Sequence, residues 1–360
     1  MQATICVYRE KLRHNLRFLS KIADDCGVIA VVKANAYGLG SVGVSRAIEN
    51  EGKLSAFAVA TIDEALELRN AGIRKPIIVL LPILPDRLNE AIENRITPTV
   101  HSVENLMEIS EFSSNAGKIA EVHLKIDTGM NRWGIRTDEL DRFIGLYKKI
   151  NNVTIVGVYS HIFDKNGASF QIDRFDKAVE KLRENGINPQ MVHILSSSST
   201  MEKFRSKYGT DIRVGLALYG VDPFDLPSEL EPAFEISSQI LLIKNVKQGE
   251  TVGYNGRWSA PSDTTVAIVP VGYEDGIMRS LSNKASVIIN RHLAFIVGVV
   301  SMDAIAVNIN GIDAKPYDRV TIIGKDGDKS VSVWELAKLA GTIPYEIMTG
   351  MGNRLERIYI

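Results

Sequence analysis

The sequence predicts an α/β protein in which an amino-terminal (β/α)8 barrel of the TIM type is followed by a mainly β carboxyl-terminal domain. Two observations support this prediction. Over roughly the first 220 residues, short apolar runs alternate with amphipathic stretches of helical spacing, the pattern of repeated β-then-α units. After about Asp222, strand-like runs follow one another without long helices between them.

The first region contains eight apolar runs that qualify as strands. They are Val28–Lys33, Ala56–Ala60, Ile77–Leu81, Thr97–Val100, Glu121–Asp127, Thr154–Ser160, Met191–Leu195 and Val214–Leu218. The helical patterns between them include Asp63–Asn70, Asp86–Glu93, Val103–Phe112, Thr137–Lys149 and Gln171–Glu184. Near-continuous apolar strands that alternate with helices indicate a parallel sheet covered by helices, and eight such units favour a closed barrel. An open doubly wound sheet is the alternative, although no Gly-x-Gly-x-x-Gly follows the first strand.

The second region begins after a cluster of prolines, Pro223, Pro227 and Pro232. The strand-like runs there are Phe234–Val246, Thr265–Val271, Ala285–Ile289, Ala294–Val300, Ala304–Val307 and Arg319–Ile323. One helix is expected over Ser332–Ala340, because Ser332 is suited to cap it and Glu335 occupies the capping-box position. We therefore expect a barrel domain over residues 8–225 and a β-rich domain over residues 226–360. Residues 1–7 are a candidate extra strand of the second domain.

Composition narrows the class of protein. The 360 residues carry a formal net charge of −1, which argues against binding of nucleic acid or an anionic membrane surface. The two cysteines, Cys6 and Cys26, are too few for a disulfide framework and fit a reducing compartment. The first residues resemble no signal peptide and no run is long enough to span a membrane, so the expected location is cytoplasmic. No metal site is expected.

Reactive residues of barrel enzymes lie at the carboxyl ends of the strands. Lys33 ends the first predicted strand, and burial of such a lysine lowers its pKa and frees the neutral amine for Schiff-base chemistry. Arg132 follows the fifth strand, His161 the sixth and the serines 196–199 the seventh, whereas Arg213 and Gly215 lie nearer the start of the eighth. Taken singly, each has an ordinary structural interpretation: a solvated lysine, a packed histidine, a polar loop or a salt-bridged corner.

The sequence Val32-Lys33-Ala34-Asn35-Ala36-Tyr37-Gly38, at the end of the first predicted strand, is similar to the cofactor-lysine motif of the alanine racemase family. Lys125-Ile126-Asp127-Thr128-Gly129-Met130-Asn131-Arg132-Trp133-Gly134 resembles its Lys-x-Asp-Thr-Gly-Met-x-Arg-Leu-Gly block. Further matches are Gly157–His161, His193–Ser197, Arg213–Gly220, Val269–Gly276 and Val297–Asp303. The resemblance runs from about Leu12 to the end of the sequence.

The resemblance implies an isomerase that interconverts L- and D-alanine with pyridoxal 5'-phosphate and supplies D-amino acid for peptidoglycan. Racemisation requires a base on each face of Cα. In this family Lys33 would hold the cofactor covalently and act on one face, and Tyr273 would act on the other face. The family works as a homodimer with composite sites, so Tyr273 is expected to come from the partner subunit.

The same resemblance assigns the remaining site residues. Arg213 faces the pyridine nitrogen of the cofactor, and His161 assists as a proton relay. The phosphate is held by Tyr37, by Ser197 and by the backbone N–H groups of Gly215 and Leu216. Arg132 and the backbone of Met302 hold the substrate carboxylate, and Lys125 occupies a position that can carry a carbamate.

Four positions depart from the family pattern: Ser196, Val214, Val299 and Asn353. Asn353 stands where many relatives have a phosphate-side tyrosine, and the smaller side chain leaves room for a hydroxylated substrate. Serine racemisation is therefore an alternative, as in the racemases linked to vancomycin resistance. Two less favoured alternatives are a pyridoxal-phosphate amino-acid decarboxylase and a non-enzymatic protein that binds the cofactor.

Overall fold

The computed structural model describes residues 3–360. In chain order, its strands are β1 (Ala3–Val7), β2 (Gly27–Val31), β3 (Leu54–Val59), β4 (Ile77–Val79), β5 (Thr99–Val100), β6 (Ala120–Asp127), β7 (Ile135–Arg136), β8 (Val153–Tyr159), β9 (Met191–His193), β10 (Asp211–Val214), β11 (Phe234–Gln239), β12 (Leu242–Val246), β13 (Thr264–Val269), β14 (Ser286–Ile289), β15 (His292–Phe295), β16 (Ile305–Asn308), β17 (Arg319–Asp326), β18 (Lys329–Val331) and β19 (Glu356–Tyr359).

The right-handed helices are α1 (Arg9–Ile22), α2 (Ser41–Ile48), α3 (Ile62–Asn70), α4 (Leu88–Glu93), α5 (Val103–Asn115), α6 (Leu140–Tyr147), α7 (Ala168–Glu184), α8 (Ser197–Met201), α9 (Val333–Ala340) and α10 (Pro344–Thr349). Within residues 3–360, no helix is both long enough and apolar enough to cross a membrane. The chain divides into two compact units, which are described separately.

The first unit comprises residues 12–36 and 41–231 and contains eight strands that pair in parallel around a ring. Strands β10, β2, β3 and β4 are neighbours in that order, and so are β5, β6, β8 and β9. A parallel bridge between Ile78 and Thr97 joins the two groups on one side. On the other side, the N–H of Thr210 donates to the carbonyl of Val192 at 2.9 Å, and the N–H of Arg213 donates to the carbonyl of Leu195 at 2.9 Å. The predicted (β/α)8 barrel is confirmed.

Seven of the predicted barrel strands overlap observed strands, but the eighth is displaced. It was expected over Val214–Leu218, whereas β10 spans Asp211–Val214 and residues Leu216–Tyr219 form a 3-10 turn. The apolar residues of this turn are fully buried, and the hydroxyl of Tyr219 donates to the carbonyl of Val31 at 2.7 Å. Since a buried turn and a buried strand share the same apolar pattern, the run was misassigned. Arg213 consequently lies near the carboxyl end of its strand, not near the start.

The second unit comprises residues 3–11, 37–40 and 232–360 of the described chain. Its larger sheet has the order β15-β14-β17-β11-β1-β19, with β18 beside β17, and its smaller sheet has the order β12-β13-β16. Strand β1 pairs antiparallel with β11 and parallel with β19, so Ala3–Val7 belong to this sheet. Met1 and Gln2, which the candidate extra strand included, lie outside the described residues. The predicted run Phe234–Val246 is two strands, β11 and β12, in different sheets.

Candidate active site

Lys33 follows β2 by two residues and lies at the carboxyl end of the barrel strands. Its side chain is half-buried, and this burial lowers the pKa of the amine. The charges of Arg132 and Arg213 lower the pKa further, while Glu64 acts in the opposite direction. Since an amine must lose its proton to act as a nucleophile or base, the surroundings of Lys33 favour the reactive form.

The backbone after Lys33 makes a left-handed turn. Residues Ala34, Asn35, Ala36 and Tyr37 all have φ between 51° and 52°, and Gly38 continues at 84°. A left-handed conformation costs a non-glycine residue roughly 1–2 kcal/mol, so the turn requires compensating contacts. The carboxylate of Glu64 accepts hydrogen bonds from the N–H of Ala34 and the N–H of Ala60, each at 2.7 Å. Glu64 thereby joins the segment that follows β2 to the segment that follows β3.

Arg213 lies at the centre of a buried hydrogen-bond network. Its Nη1 contacts Nδ1 of His193 at 2.8 Å, and its Nη2 contacts Nδ1 of His161 at 2.9 Å. Nη2 also donates to the carbonyl of Ser160 at 3.0 Å. Because a guanidinium can only donate, both histidine Nδ1 atoms must accept. His193 therefore carries its proton on Nε2 and donates it to Nδ1 of His123, 3.0 Å away.

The histidines of this network are neutral. Burial lowers the pKa of His123 to about 3, and the charge of Arg213 adds to the effect. Burial and Arg213 likewise hold the pKa of His161 and of His193 well below the usual range. The cation at this end of the network is Arg213 itself, which keeps its proton at all physiological pH values.

Lys125 and Arg132 are brought to the same end of the barrel. Lys125 is buried on β6, with its amine 4.6 Å from the centre of the Tyr159 ring. Burial, followed by the charges of Arg213 and Arg132, lowers the pKa of Lys125 to about 7. Arg132 lies in the exposed loop after β6, with its guanidinium carbon 4.8 Å from the centre of the Trp133 ring.

A group of converging donors surrounds Ser197, the first residue of α8. The Ser197 hydroxyl oxygen accepts from the N–H of Gly215 at 3.1 Å and from the N–H of Ala217 at 3.3 Å. Ser197 and Leu216 are both buried. Backbone N–H groups that converge on one oxygen, with a hydroxyl beside them, are donors suited to a phosphate oxygen.

The remaining expected residues belong to the second unit. Tyr37 is buried and packs edge-to-face against Tyr345, with ring centres 5.8 Å apart. Tyr273 begins a 3-10 turn, and its side chain is 42% exposed. The N–H of Tyr273 donates to the carbonyl of Ser301 at 3.0 Å, and the N–H of Glu274 donates to the carbonyl of Met302 at 3.2 Å.

The carboxylate of Asp275 stabilises the Tyr273 turn. It accepts from the N–H of Gly272 at 2.9 Å and from Arg354 at 2.9 Å, and Arg354 also binds Asp303 at 2.7 Å. Asn353 is exposed beside Arg354 in the sequence. The turn, the loop that contains Met302 and the segment that contains Asn353 therefore lie together in the second unit.

The structure thus places the expected residues in two groups. Lys33, Lys125, Arg132, His161, Ser197, Arg213, Gly215 and Leu216 belong to the barrel, and Tyr37, Tyr273, Met302 and Asn353 belong to the β-rich unit. The barrel group contains two arginines and two lysines whose charges act on one another, with Asp127 and Glu64 as the opposing carboxylates. This excess of positive charge, together with the donors around Ser197, fits an anionic ligand such as pyridoxal 5'-phosphate.

Three residues around the site were not predicted to have a role: His123 and His193 of the Arg213 network, and Glu64 beside the turn that follows Lys33. His123 and Lys125 are two positions apart on β6, so alternation along a strand places them on the same face. That spacing is a signal by which His123 could have been found. Glu64 gives no such signal, because a glutamate three residues after Thr61 is already explained by the capping box that begins α3.

Comparisons with known proteins agree with this arrangement. Residues 7–223 match the alanine racemase amino-terminal domain family, and residues 233–359 match the alanine racemase carboxyl-terminal domain family. The chain is 36% identical over 361 residues to an alanine racemase of Carboxydothermus hydrogenoformans, covering 98% of this chain and 97% of the relative. It superposes on an alanine racemase from Clostridium difficile 630 with a TM-score of 0.92 and 32% identity, covering 100% of this chain and 96% of the other. A Bacillus anthracis alanine racemase structure with bound L-Ala-P gives a TM-score of 0.90 and 32% identity, with 100% and 95% covered.

Proposed function

The chain belongs to the alanine racemase family, and on this premise we propose that it interconverts L- and D-alanine with Lys33 and Tyr273 as its two bases. The observation that carries the proposal is the position of Lys33 at the carboxyl end of the barrel, with a pKa lowered by burial and by two arginines. When bound, pyridoxal 5'-phosphate supplies an electron sink for the charge that develops at Cα.

Residues of the barrel unit, together with Tyr37 of the β-rich unit, would bind the cofactor. Lys33 would hold it covalently, and Ser197, with the N–H groups of Gly215 and Leu216 and the hydroxyl of Tyr37, would bind its phosphate. Arg213 would face the ring nitrogen as a donor that never gives up its proton. The bonds from Arg213 to His193 and to Ser160 support this role, because they fix the orientation of the guanidinium.

The two bases divide the proton transfers between the faces of Cα. Lys33, in its neutral form, would remove the proton from one face or return it there. Tyr273 would act on the opposite face from the partner subunit of a homodimer. The exposure of its side chain and the hydrogen bonds that fix its turn support such a role. His161 accepts from Arg213 through Nδ1, which leaves its Nε2–H available to assist the tyrosine.

Arg132 and the backbone of Met302 would bind the substrate carboxylate. We also propose that Lys125 carries a carbamate, because a lysine with a pKa of about 7 is substantially neutral at physiological pH. The neutral amine attacks the carbon of CO2, and the nitrogen loses one proton to solvent as the N–C bond forms. The resulting negative charge would be stabilised by Arg132 and Arg213, the two cations that lower the pKa of the free amine.

The serine alternative rests on Asn353 alone and is not favoured by the named relatives, which are alanine racemases. The family models cover both domains, which supports neither a decarboxylase nor a protein that only binds the cofactor.

We propose a cytoplasmic enzyme whose D-alanine enters peptidoglycan.

Exchange of the Cα proton tests the proposal. The holoenzyme is incubated with L-alanine or L-serine in D2O, and both deuterium incorporation and product chirality are measured. We expect racemised, deuterated alanine, at least a hundredfold preference for alanine over serine, or about 2.7 kcal/mol, and no CO2 release. Lys33→Ala should lose cofactor attachment and exchange. Tyr273→Phe should lose racemisation but retain exchange from one enantiomer, and unchanged racemisation by Tyr273→Phe would refute the two-base assignment.

A further inference from the structure

Trp133 is a feature of the barrel unit that the proposed function does not use. It follows Arg132 directly and stands where the family's block has leucine. We propose that Trp133 is a positioning residue, whose ring holds the guanidinium of Arg132 in the orientation that binds the substrate carboxylate. The inference rests on the proposed function, in which Arg132 makes that contact.

The loop that carries both residues is fixed at its two ends. At the start, the carboxylate of Asp127 accepts from the N–H of Gly129 at 2.9 Å and from the N–H of Asn131 at 3.1 Å. At the end, β7 pairs in parallel with β6, with Ile135 opposite Ile126. Gly134 has a φ of +120°, and a Cβ there would lie 2.9 Å from the backbone of Lys125 and of Asp127. The backbone of Arg132 is therefore anchored on both sides.

The side chain of Arg132 has few other restraints. Among residues 3–360, no carboxylate lies within ion-pair distance of its guanidinium, and the contact it makes is with the face of Trp133, at 4.8 Å. A cavity of about 350 Å³, lined by residues that include His101, Asp127, Arg132, Trp133 and Arg142, adjoins it. That space would accept other rotamers of Arg132, so the ring contact decides which one predominates.

Trp133 also packs against a buried histidine. His101 lies edge-to-face with it, with ring centres 6.4 Å apart and planes inclined by 65°. His101 is buried, and burial together with the charge of Lys125 lowers its pKa to about 4. The imidazole is therefore neutral at pH 7 and adds no positive charge that would repel Arg132.

A cation–π contact at an exposed site contributes about 0.5–1 kcal/mol, which corresponds to a two- to fivefold change in an equilibrium constant. Arg132 is expected to bind the carboxylate equally in the ground state and in the transition state. Weakening of this contact should therefore raise KM and leave kcat nearly constant. Trp133→Leu, which installs the family's own residue, should raise KM for both enantiomers of alanine two- to fivefold with kcat within about twofold. The KM of Trp133→Phe should lie between those of the parent protein and Trp133→Leu, since phenylalanine keeps an aromatic face.

Trp334 provides a matched control. It also lies under a cation, with the amine of Lys338 at 5.8 Å from its ring, but it belongs to α9 of the other unit. Trp334→Leu should leave KM unchanged. A direct measurement of binding uses the holoenzyme with Trp258→Phe and Trp334→Phe, in which Trp133 is the remaining tryptophan. Its fluorescence should respond saturably to acetate, and the response should vanish when Arg132→Leu is added.

The outcomes separate the inference from the function on which it rests. If Arg132→Leu leaves KM within twofold, Arg132 does not bind the carboxylate. Both the assignment of Arg132 to the substrate and the positioning role of Trp133 are then overturned. If Arg132→Leu raises KM at least tenfold while Trp133→Leu changes it by less than about 1.5-fold, the positioning role of Trp133 alone is overturned. A fall in kcat as large as the rise in KM for Trp133→Leu, with a reduced unfolding temperature, also overturns it in favour of a structural role. A selective two- to fivefold rise in KM, with the acetate response, supports it.

Discussion

Among single residues, Lys125 is a buried amine whose pKa is lowered by burial and by the charges of Arg213 and Arg132. With a pKa of about 7, the free amine gains a proton as the pH falls through 7 and cannot then react with CO2. Carbamate occupancy should therefore rise between about pH 6 and pH 8, as the neutral amine becomes available.

Carbon-13 NMR checks this prediction. After equilibration of the holoenzyme with labelled bicarbonate at about pH 8, we expect a carbamate resonance that weakens at pH 6 and is absent from Lys125→Ala. The exposed Lys118 provides the control, and Lys118→Ala should keep the resonance. Lys125→Ala should also lose activity at least tenfold, about 1.4 kcal/mol of transition-state stabilisation. A resonance that survives in Lys125→Ala would contradict the assignment.

The residues of the site differ in how far they could be predicted from sequence. Lys33, Arg132 and His161 follow strands, so the rule that barrel enzymes react at strand ends makes them candidates, and the resemblance to the family assigns their roles. His193 joins them only through cross-strand register: Lys125 lies opposite Tyr159 on β8, and Tyr159 lies opposite His193 on β9. A single sequence does not specify which residues face one another across strands, so this network could not be foreseen.

At the scale of elements, the Tyr273 turn and the loop of Ser301 and Met302 approach so closely that only glycine fits at position 272. A Cβ on Gly272 would overlap the carbonyl oxygens of Ser301 and Met302. Both atoms are backbone and accept hydrogen bonds from the turn, so neither can move without breaking a bond to Tyr273 or Glu274.

Gly272→Ala should therefore separate the turn from the loop. Overpacking of this kind lowers the free energy of unfolding by roughly 1–3 kcal/mol, and the displaced Tyr273 should reduce kcat by at least tenfold. Urea unfolding and steady-state kinetics measure the two effects.

Gly145→Ala is the matched control, since nothing lies within 4 Å of a Cβ there in helix α6. It should stabilise the protein by about 0.5–1 kcal/mol and leave kcat unchanged. Normal kinetics in Gly272→Ala would show that the turn tolerates displacement.

Helix α9 was predicted correctly, whereas two apolar runs, Val214–Leu218 and Phe234–Val246, were not single strands. Helix α9 begins after Ser332, whose hydroxyl accepts from the N–H of Glu335 at 3.0 Å, as its sequence predicts. The run Val214–Leu218 was assigned to a strand because burial alone produces that pattern. Its first residue does belong to β10, and the rest forms the turn whose N–H groups meet Ser197.

At the scale of the whole molecule, distant segments are joined in ways that composition cannot predict. Strand β1 lies between β11 and β19, so a strand near the start of the chain pairs with one more than 200 positions later and with one at the end. The order of strands in the barrel follows the sequence and could be predicted from repeated β-then-α units. The order in the β-rich unit does not follow the sequence, and it depends on which faces pack.

Global stability should depend on pH through the buried histidines. In the unfolded chain a histidine binds a proton below about pH 6.5, whereas in the folded protein the pKa is lowered to about 3 for His123 and to about 4 for His101. Between these values the unfolded state binds more protons than the folded state. The free energy of unfolding is therefore greatest above pH 6.5 and falls as the pH drops from 6.5 towards 3–4.

Each such histidine should remove roughly 1–2 kcal/mol of stability between pH 7.5 and pH 5, from a slope that approaches 1.4 kcal/mol per pH unit. Urea unfolding of the holoenzyme at the two pH values measures the loss. Carboxylates also contribute to acid unfolding, so the informative quantity is the difference between proteins.

His123→Gln should be less stable at pH 7.5, because it disrupts the bond to His193. Its free energy of unfolding should nevertheless fall about 1–2 kcal/mol less on acidification than that of the parent protein. His292→Gln, at an exposed histidine, is the control and should lose as much as the parent protein. An equal loss in His123→Gln would mean that His123 already accepts a proton in the folded state above pH 5, and that the network from Arg213 does not keep it neutral.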